Sequence, residues 1–130
     1  MNKIILLISL LATTLFAELD WACSYEKALE KAEKSNKLVM LMLSKEDCDA
    51  CWYMENIVFK DDNVVDEIDA SFISYYIDIG ASIPPNGLTY IGTPTFHFLT
   101  ADGKKVDRFD GAANVKDFMD VIERVKRKAK

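Results

Sequence analysis

Apolar residues recur with helical spacing in two segments, one that begins at Tyr25 and one that follows Asn114. From Tyr25 onward they stand at i, i+3, i+4 and i+7, and Glu and Lys residues fill the positions between them. Ser24 can act as the N-cap of this amphipathic helix, which ends near Asn36. The same spacing returns after Asn114. The basic residues that end this last helix, up to Lys128, suit the negative pole of a helix dipole.

Four segments show strand patterns instead. Leu38–Leu43 is a continuous apolar run, typical of a strand buried on both faces. Phe72–Ile79 is rich in β-branched and aromatic residues. Thr95–Leu99 and Lys105–Phe109 flank the turn signal Ala101–Gly103, which predicts a hairpin.

Short helices and one long loop connect these strands. Helical spacing continues past Cys51 to about Phe59, and Asp61 or Asp62 can cap a further short helix. Gly80–Gly92, with its Pro and Gly residues, is predicted as a loop. Strands joined by helices favour a parallel crossover, whereas the late pair favours an antiparallel hairpin. The order of elements therefore predicts a mixed sheet with helices on both faces.

Residues 1–17 have the pattern of a secretory signal peptide. Lys3 gives a positive start, the mostly apolar run Ile4–Phe16 follows, and Ala17 is a small residue before a cut. The apolar run is short for a membrane span, which needs about 20 residues; an uncleaved membrane anchor is the alternative. We expect residues 18–130 to form one exported domain in a compartment where disulfides persist.

Composition narrows the function classes. A chain of 130 residues is long enough for one domain, and its net charge of −5 disfavours a nucleic-acid binder. Its single His excludes a multi-histidine metal site. Of its three cysteines, Cys48 and Cys51 form a C-x-x-C pair and Cys23 stands alone.

The predicted position of the cysteine pair, at the start of a helix, suits disulfide exchange. Exchange needs a thiolate, and the start of a helix, where Cys48 is predicted, lowers a thiol pKa. Cys51, three residues on, is held close enough to attack a mixed disulfide on Cys48. A static structural disulfide is the alternative for this pair.

The motif Cys48-Asp49-Ala50-Cys51 after a buried strand, together with Thr93-Pro94 before the next one, resembles the thioredoxin superfamily. It is most similar to exported bacterial proteins related to the C-terminal domain of the transmembrane thiol:disulfide interchange reductase. The resemblance implies a thioredoxin-like three-layer α/β/α sandwich with a mixed four- to five-stranded sheet.

The resemblance also implies roles for site residues. Cys48 would be the nucleophile and Cys51 the resolving thiol, while Thr93-Pro94 would form a cis-proline loop that faces them and pairs with substrate. Trp52 is a further candidate for substrate contact, or else packs on the sheet.

The sequence departs from thioredoxin at one position. Met42 stands where thioredoxin has a buried Asp that accepts a proton from the resolving thiol. Glu46, Asp47 or solvent is left to take that proton.

We therefore expect a periplasmic thiol–disulfide oxidoreductase. Glu46, Asp47 and Asp49 place negative charge beside Cys48, which disfavours its thiolate and favours a reductant or mild exchanger over a strong oxidant. Its partners would be exported proteins with disulfides, apocytochrome c among the candidates, and a membrane thiol reductase as electron donor. We expect a monomer that needs no cofactor or metal.

A binding module of another class is the alternative. Cys48, Cys51 and His97 could serve copper binding, or the domain could be chaperone-like. His97 otherwise is a packed strand residue. Cys23 is either a bystander or a third redox partner. Pro84–Gly87 is either a substrate lip or a plain connection.

Overall fold

A four-stranded mixed sheet forms the centre of residues 18–130, the part of the chain that the computed structural model describes. The predicted signal peptide, residues 1–17, lies outside the described residues. The sheet order is β2-β1-β3-β4, with β1 parallel to β2 and antiparallel to β3, and β3 antiparallel to β4. The strands are β1 (Leu38–Ser44), β2 (Phe72–Asp78), β3 (Thr95–Leu99) and β4 (Lys105–Asp110). The predicted parallel crossover and late hairpin are both confirmed.

Four helices surround this sheet. They are α1 (Tyr25–Ser35), α2 (Asp49–Asn56), α3 (Asp62–Ser71) and α4 (Val115–Lys128). The helix predicted to continue to about Phe59 is shorter in the structure. It ends as α2 at Asn56, and a separate 3₁₀ turn covers Val58–Lys60. A second 3₁₀ turn covers Pro85–Gly87 within the predicted long loop.

The helices lie on both faces of the sheet, as predicted. On one face, the small buried residues Ala28 and Ala32 of α1 pack on Val39, Leu41 and Leu43 of β1. The larger core on the other face joins α2, α3 and α4 to Met40 and Met42 through buried aromatic and aliphatic side chains, among them Met54, Ile68, Phe96, Phe98, Phe118 and Ile122. Alternation along β1 directs successive side chains to the two cores, so the continuous apolar run is buried on both faces. The result is a three-layer α/β/α sandwich.

The connection from β2 to β3 crosses the α1 face without an α-helix. Midway along it, the Asn86 side-chain amide donates a hydrogen bond of 2.8 Å to the Gly103 carbonyl in the β3–β4 turn. Leu99, the last residue of β3, pairs with Val39 near the start of β1, so this turn lies at the end of the sheet opposite the cysteines. Pro84–Gly87 is therefore a connection at the far end of the molecule, and the interpretation as a substrate lip is wrong.

Residues that precede α1 cover the outer edge of β2. Trp21 forms a parallel bridge with Ser74, and the Ala22 amide donates to the Ser74 carbonyl at 2.8 Å. The Trp21 ring makes edge contacts with the rings of Phe59 and Tyr76, at centroid distances of 6.1 and 6.0 Å. This coverage protects an edge that would otherwise be open to pairing with other chains. Within residues 18–130, no helix has the length and apolarity needed to span a membrane.

Candidate active site

The cysteine pair lies just beyond the carboxyl end of the central strand β1. Cys48 is the N-cap residue of α2, and its Sγ accepts a hydrogen bond of 3.1 Å from the Cys51 amide. The two cysteines form a disulfide with their Cα atoms 5.2 Å apart. Cys48 is half-buried, whereas only 2 % of Cys51 is exposed. An external sulfur can therefore reach Cys48 but not Cys51.

The loop before β3 contacts the same sulfur from the other side. The Thr93–Pro94 peptide bond is cis, as the resemblance implied. Thr93 Oγ1 donates to Cys48 Sγ at 3.3 Å, and the Thr93 carbonyl oxygen lies 3.5 Å from it. A main-chain N–H and a side-chain hydroxyl thus both point at Cys48 Sγ, and both would stabilise a thiolate there after reduction.

The acidic residues beside the pair face solvent. Glu46, Asp47 and Asp49 are exposed, as is Lys45, and no salt bridge between residues 18 and 130 includes any of the four. Their charges act on Cys48 through water, where salt screens them.

A half-buried carboxyl that the sequence pattern did not single out, Glu55, lies on α2 itself. Met42 is fully buried at the position where thioredoxin has its Asp. Glu55 stands four residues after Cys51, so the two side chains share one face of α2. Burial raises the pKa of the Glu55 carboxyl above its usual value of 4.5. The i, i+4 spacing from a cysteine was the only sequence signal for this residue.

Three exposed apolar side chains stand close in sequence to residues that form the site. Trp52, directly after Cys51, is 59 % exposed and does not pack on the sheet. Tyr90 and Ile91, shortly before Thr93, are 42 % and 89 % exposed. Sequence reasoning singled out Trp52 but not the other two, because it treated residues 80–92 only as a loop.

His97 lies away from the cysteines, on the α1 face of β3. Its side chain is 3 % exposed, and its Nε2 atom lies 2.8 Å from the Thr89 carbonyl oxygen. A carbonyl only accepts, so Nε2 carries the hydrogen. Burial lowers the pKa of the imidazole, which favours its neutral form.

The structure does not assemble the metal site considered as an alternative. Among residues 18–130, no group of three or more His, Cys, Asp or Glu side chains is placed to hold a metal ion. His97 and the Cys48–Cys51 pair therefore do not form such a group. Cys23 is exposed and outside any disulfide.

Comparison with known proteins agrees with this architecture. A family model described as a thioredoxin-like domain matches residues 25–126. No curated protein matches the chain. A thioredoxin from Thermus thermophilus is 26 % identical, with a TM-score of 0.68 over 83 % of this chain and 87 % of that one.

Two further solved structures share the fold. The reduced periplasmic thioredoxin SoxS from Paracoccus pantotrophus is 20 % identical, with a TM-score of 0.61 over 72 % of this chain and all (100 %) of its own. The oxidised C-terminal domain of Neisseria meningitidis DsbD is 21 % identical, with a TM-score of 0.62 over 83 % of this chain and 98 % of that one. The chain belongs to the thioredoxin-like family, and its Cys48–Cys51 pair gives it the arrangement that supports thiol–disulfide exchange.

Proposed function

We propose that this protein is a periplasmic reductase of disulfides in exported proteins, with Cys48 as nucleophile and Cys51 as resolving thiol. One observation carries the proposal: a half-buried Cys48 Sγ receives two hydrogen-bond donors, and a fully buried Cys51 lies directly behind it. This asymmetry separates the two chemical roles.

The reduction proceeds in two exchanges. The Cys48 thiolate attacks one sulfur of the substrate disulfide, forms a mixed disulfide, and displaces the other substrate sulfur as a thiolate, which takes a proton. Cys51 then loses its proton and attacks Cys48 Sγ, which releases the second substrate thiolate. The substrate gains two electrons and its disulfide becomes two thiols, while the protein loses two electrons and its Cys48 and Cys51 thiols become a disulfide.

Glu55 is the group that we propose receives the Cys51 proton. Glu55 shares a helix face with Cys51. Burial raises the pKa of its carboxyl, so this pKa lies closer to the pKa of a thiol than the pKa of an exposed carboxyl does. The carboxylates of Glu46 and Asp47 are exposed and lack such an environment.

The reducing direction rests on the sign of the exposed charges next to Cys48, which disfavour its thiolate, whereas the two donors to its sulfur favour the thiolate. Strong oxidants of this chemistry stabilise their reduced, thiolate form, and here the sequence neighbours of Cys48 are mainly carboxylates. A reduction potential measured against glutathione should lie well below the value of about −120 mV found for a strong periplasmic oxidant. A value near that figure would reject the reducing direction and leave exchange chemistry intact.

Location and partners extend the proposal. The signal-peptide pattern of residues 1–17 supports export, and the periplasmic SoxS shows the same fold in that compartment. We propose that the protein acts as a monomer. A membrane thiol reductase would return electrons to the pair, and apocytochrome c thiols are one candidate substrate.

A trapping experiment tests the function. Cys51→Ser leaves the mixed disulfide on Cys48 unresolved, so periplasmic substrates should remain attached and can be identified by mass spectrometry. Cys48→Ser should trap nothing. Cys23→Ser, a matched change at an exposed cysteine, should leave insulin reduction at the wild-type rate. If Cys51→Ser traps no protein and the wild type does not reduce insulin, the oxidoreductase function is wrong.

A further inference from the structure

A short arch leads from the α1 face of the sheet to the cysteine pair. It consists of Thr89–Gly92 and runs directly into Thr93, whose hydroxyl contacts Cys48. The two central residues of this Thr89–Gly92 arch, Tyr90 and Ile91, are both apolar and exposed. Exposed apolar side chains two and three residues before a group that contacts a reactive sulfur can meet a partner bound there.

The arch is fastened at its first residue by two side chains of the sheet. His97 Nε2 donates to the Thr89 carbonyl at 2.8 Å, and Arg108 Nη1 donates to Thr89 Oγ1 at 3.1 Å. His97 and Arg108 are register partners on the neighbouring strands β3 and β4. Their positions are therefore set by the sheet ladder rather than by the loop.

The arch is fastened at its last residue as well. The Thr95 hydroxyl lies 2.8 Å from the Gly92 carbonyl and 3.1 Å from Asp110 Oδ1, and its single proton is shared between these two acceptors. Asp110 in turn accepts from Arg108 Nε at 2.9 Å. One connected polar network thus holds both ends of the arch, and the side chains of Tyr90 and Ile91 between these ends are exposed.

His97 is the buried member of this network, and it binds the main-chain carbonyl of Thr89 in the arch. At 3 % exposure its bond is shielded from water, unlike that of the more exposed Arg108. An unpaired Thr89 carbonyl would be free to turn, and the direction of Tyr90 and Ile91 would change with it. The single histidine of the chain therefore has a task other than metal binding.

We propose that His97 is a positioning residue that holds the Thr89–Gly92 arch so that Tyr90 and Ile91 receive an apolar side chain next to the substrate's disulfide. The inference rests on the proposed function and specifies its substrate class: polypeptide disulfides flanked by apolar residues, in preference to small disulfides. The arch is continuous with the Thr93–Pro94 loop, so a segment bound at one extends onto the other.

Rates on two substrates test this. Wild type, His97→Leu and His97→Gln, each expressed from the full chain and reduced beforehand, react with insulin and with 2-hydroxyethyl disulfide, which has no side chains. His97→Leu should lower the rate constant for insulin at least fivefold and change that for the small disulfide less than twofold. Gln keeps a donor near the place of Nε2, so His97→Gln should restore the insulin rate to within twofold of wild type.

Several outcomes would overturn the inference. Equal losses on both substrates, no loss on insulin, or a Gln variant no better than Leu would each do so. If His97→Leu does not fold, Ile91→Ser, at a position 89 % exposed, must show the same selective loss. A wild type that reduces the small disulfide but not insulin contradicts the inference alone, whereas one that reduces neither contradicts the proposed function too.

A spectroscopic measurement checks the hydrogen bond independently. Because the chain has one histidine, its imidazole ¹⁵N signals need no assignment by mutation. Long-range ¹H–¹⁵N spectra at pH 7.5 should show the hydrogen on Nε2. The opposite tautomer, with the hydrogen on Nδ1, would contradict the bond to Thr89.

Discussion

At the scale of a single residue, the Thr93 hydroxyl is expected to stabilise the thiolate of reduced Cys48. Its hydroxyl is one of two donors to Cys48 Sγ, at 3.3 Å. Thr93→Val keeps the shape and removes this donor. A hydrogen bond to a charged group contributes about 1.5–3 kcal/mol, and one pH unit corresponds to about 1.4 kcal/mol. The midpoint for ionisation of reduced Cys48 should therefore rise by about one to two pH units, measured by thiolate absorbance at 240 nm.

Thr93→Ser is the matched control for this change. It keeps the hydroxyl and should leave the midpoint close to the wild-type value. If Val and Ser shift the midpoint equally, the effect comes from repacking of the loop and not from the hydrogen bond.

Glu55 should make the free energy of unfolding fall as the pH rises. Burial raises the pKa of its carboxyl, so the folded protein binds this proton more tightly than the unfolded chain does. The resulting stabilisation is complete below the unfolded pKa and is lost as the pH rises through the folded one. The free energy of unfolding of Glu55→Gln, relative to that of wild type, should therefore increase as the pH is raised from about 4 to about 7. Urea unfolding at both pH values measures this difference.

The exposed Glu46 provides the comparison for that measurement. Glu46→Gln should show the same free energy of unfolding relative to wild type at both pH values. A Glu55→Gln variant that also shows no change between the two would mean that the carboxyl is solvated in the folded state. Its proposed part in accepting the Cys51 proton would then lose its physical basis.

At the scale of elements, the start of α3 shows what a local pattern leaves open. Asp61 and Asp62 are both good capping residues, and sequence favours neither. In the structure, Asp61 Oδ1 accepts from the Asn63 and Val64 amides at 3.0 and 3.1 Å, whereas Asp62 is already helical. Asp61→Ala should cost about 1 kcal/mol of unfolding free energy, measured by urea unfolding.

The neighbouring carboxylate is the control for that substitution. Asp62→Ala removes a first-turn charge without a cap bond, so its cost should be clearly smaller. Equal costs for the two variants would show that charge near the helix start matters and that the cap hydrogen bonds do not.

At the scale of the whole molecule, sequence predicts what local signals encode. Helix caps, apolar periodicity and the turn at Ala101–Gly103 are each encoded by residues close together in sequence. The helices, the hairpin and the position of the cysteine pair could therefore be predicted. Three features could not, because each depends on how one segment folds back against another and not on a local pattern. These are the path of residues 79–94 across the sheet, the bond from His97 to Thr89, and the burial of Glu55.

The two tryptophans have different surroundings in the folded molecule. Trp21 joins the N-terminal segment to the β2 edge through ring contacts with Phe59 and Tyr76. Trp52 lies beside the disulfide and is 59 % exposed. Sequence alone does not separate them, since each is an apolar residue near a cysteine. Their surroundings predict opposite effects when each is changed to alanine.

Trp21→Ala should lower the free energy of unfolding by about 2–3 kcal/mol, because it removes a partly buried ring and its aromatic contacts. Trp52→Ala should change stability by less than about 0.5 kcal/mol. It should instead slow insulin reduction about fivefold, as expected for loss of a contact worth about 1 kcal/mol. Urea unfolding followed by circular dichroism, with insulin reduction on the same samples, separates the two effects. A Trp52→Ala variant that reduces insulin at the wild-type rate would remove this residue from the substrate surface, and Cys48 would then be approached from the side of the Thr89–Gly92 arch.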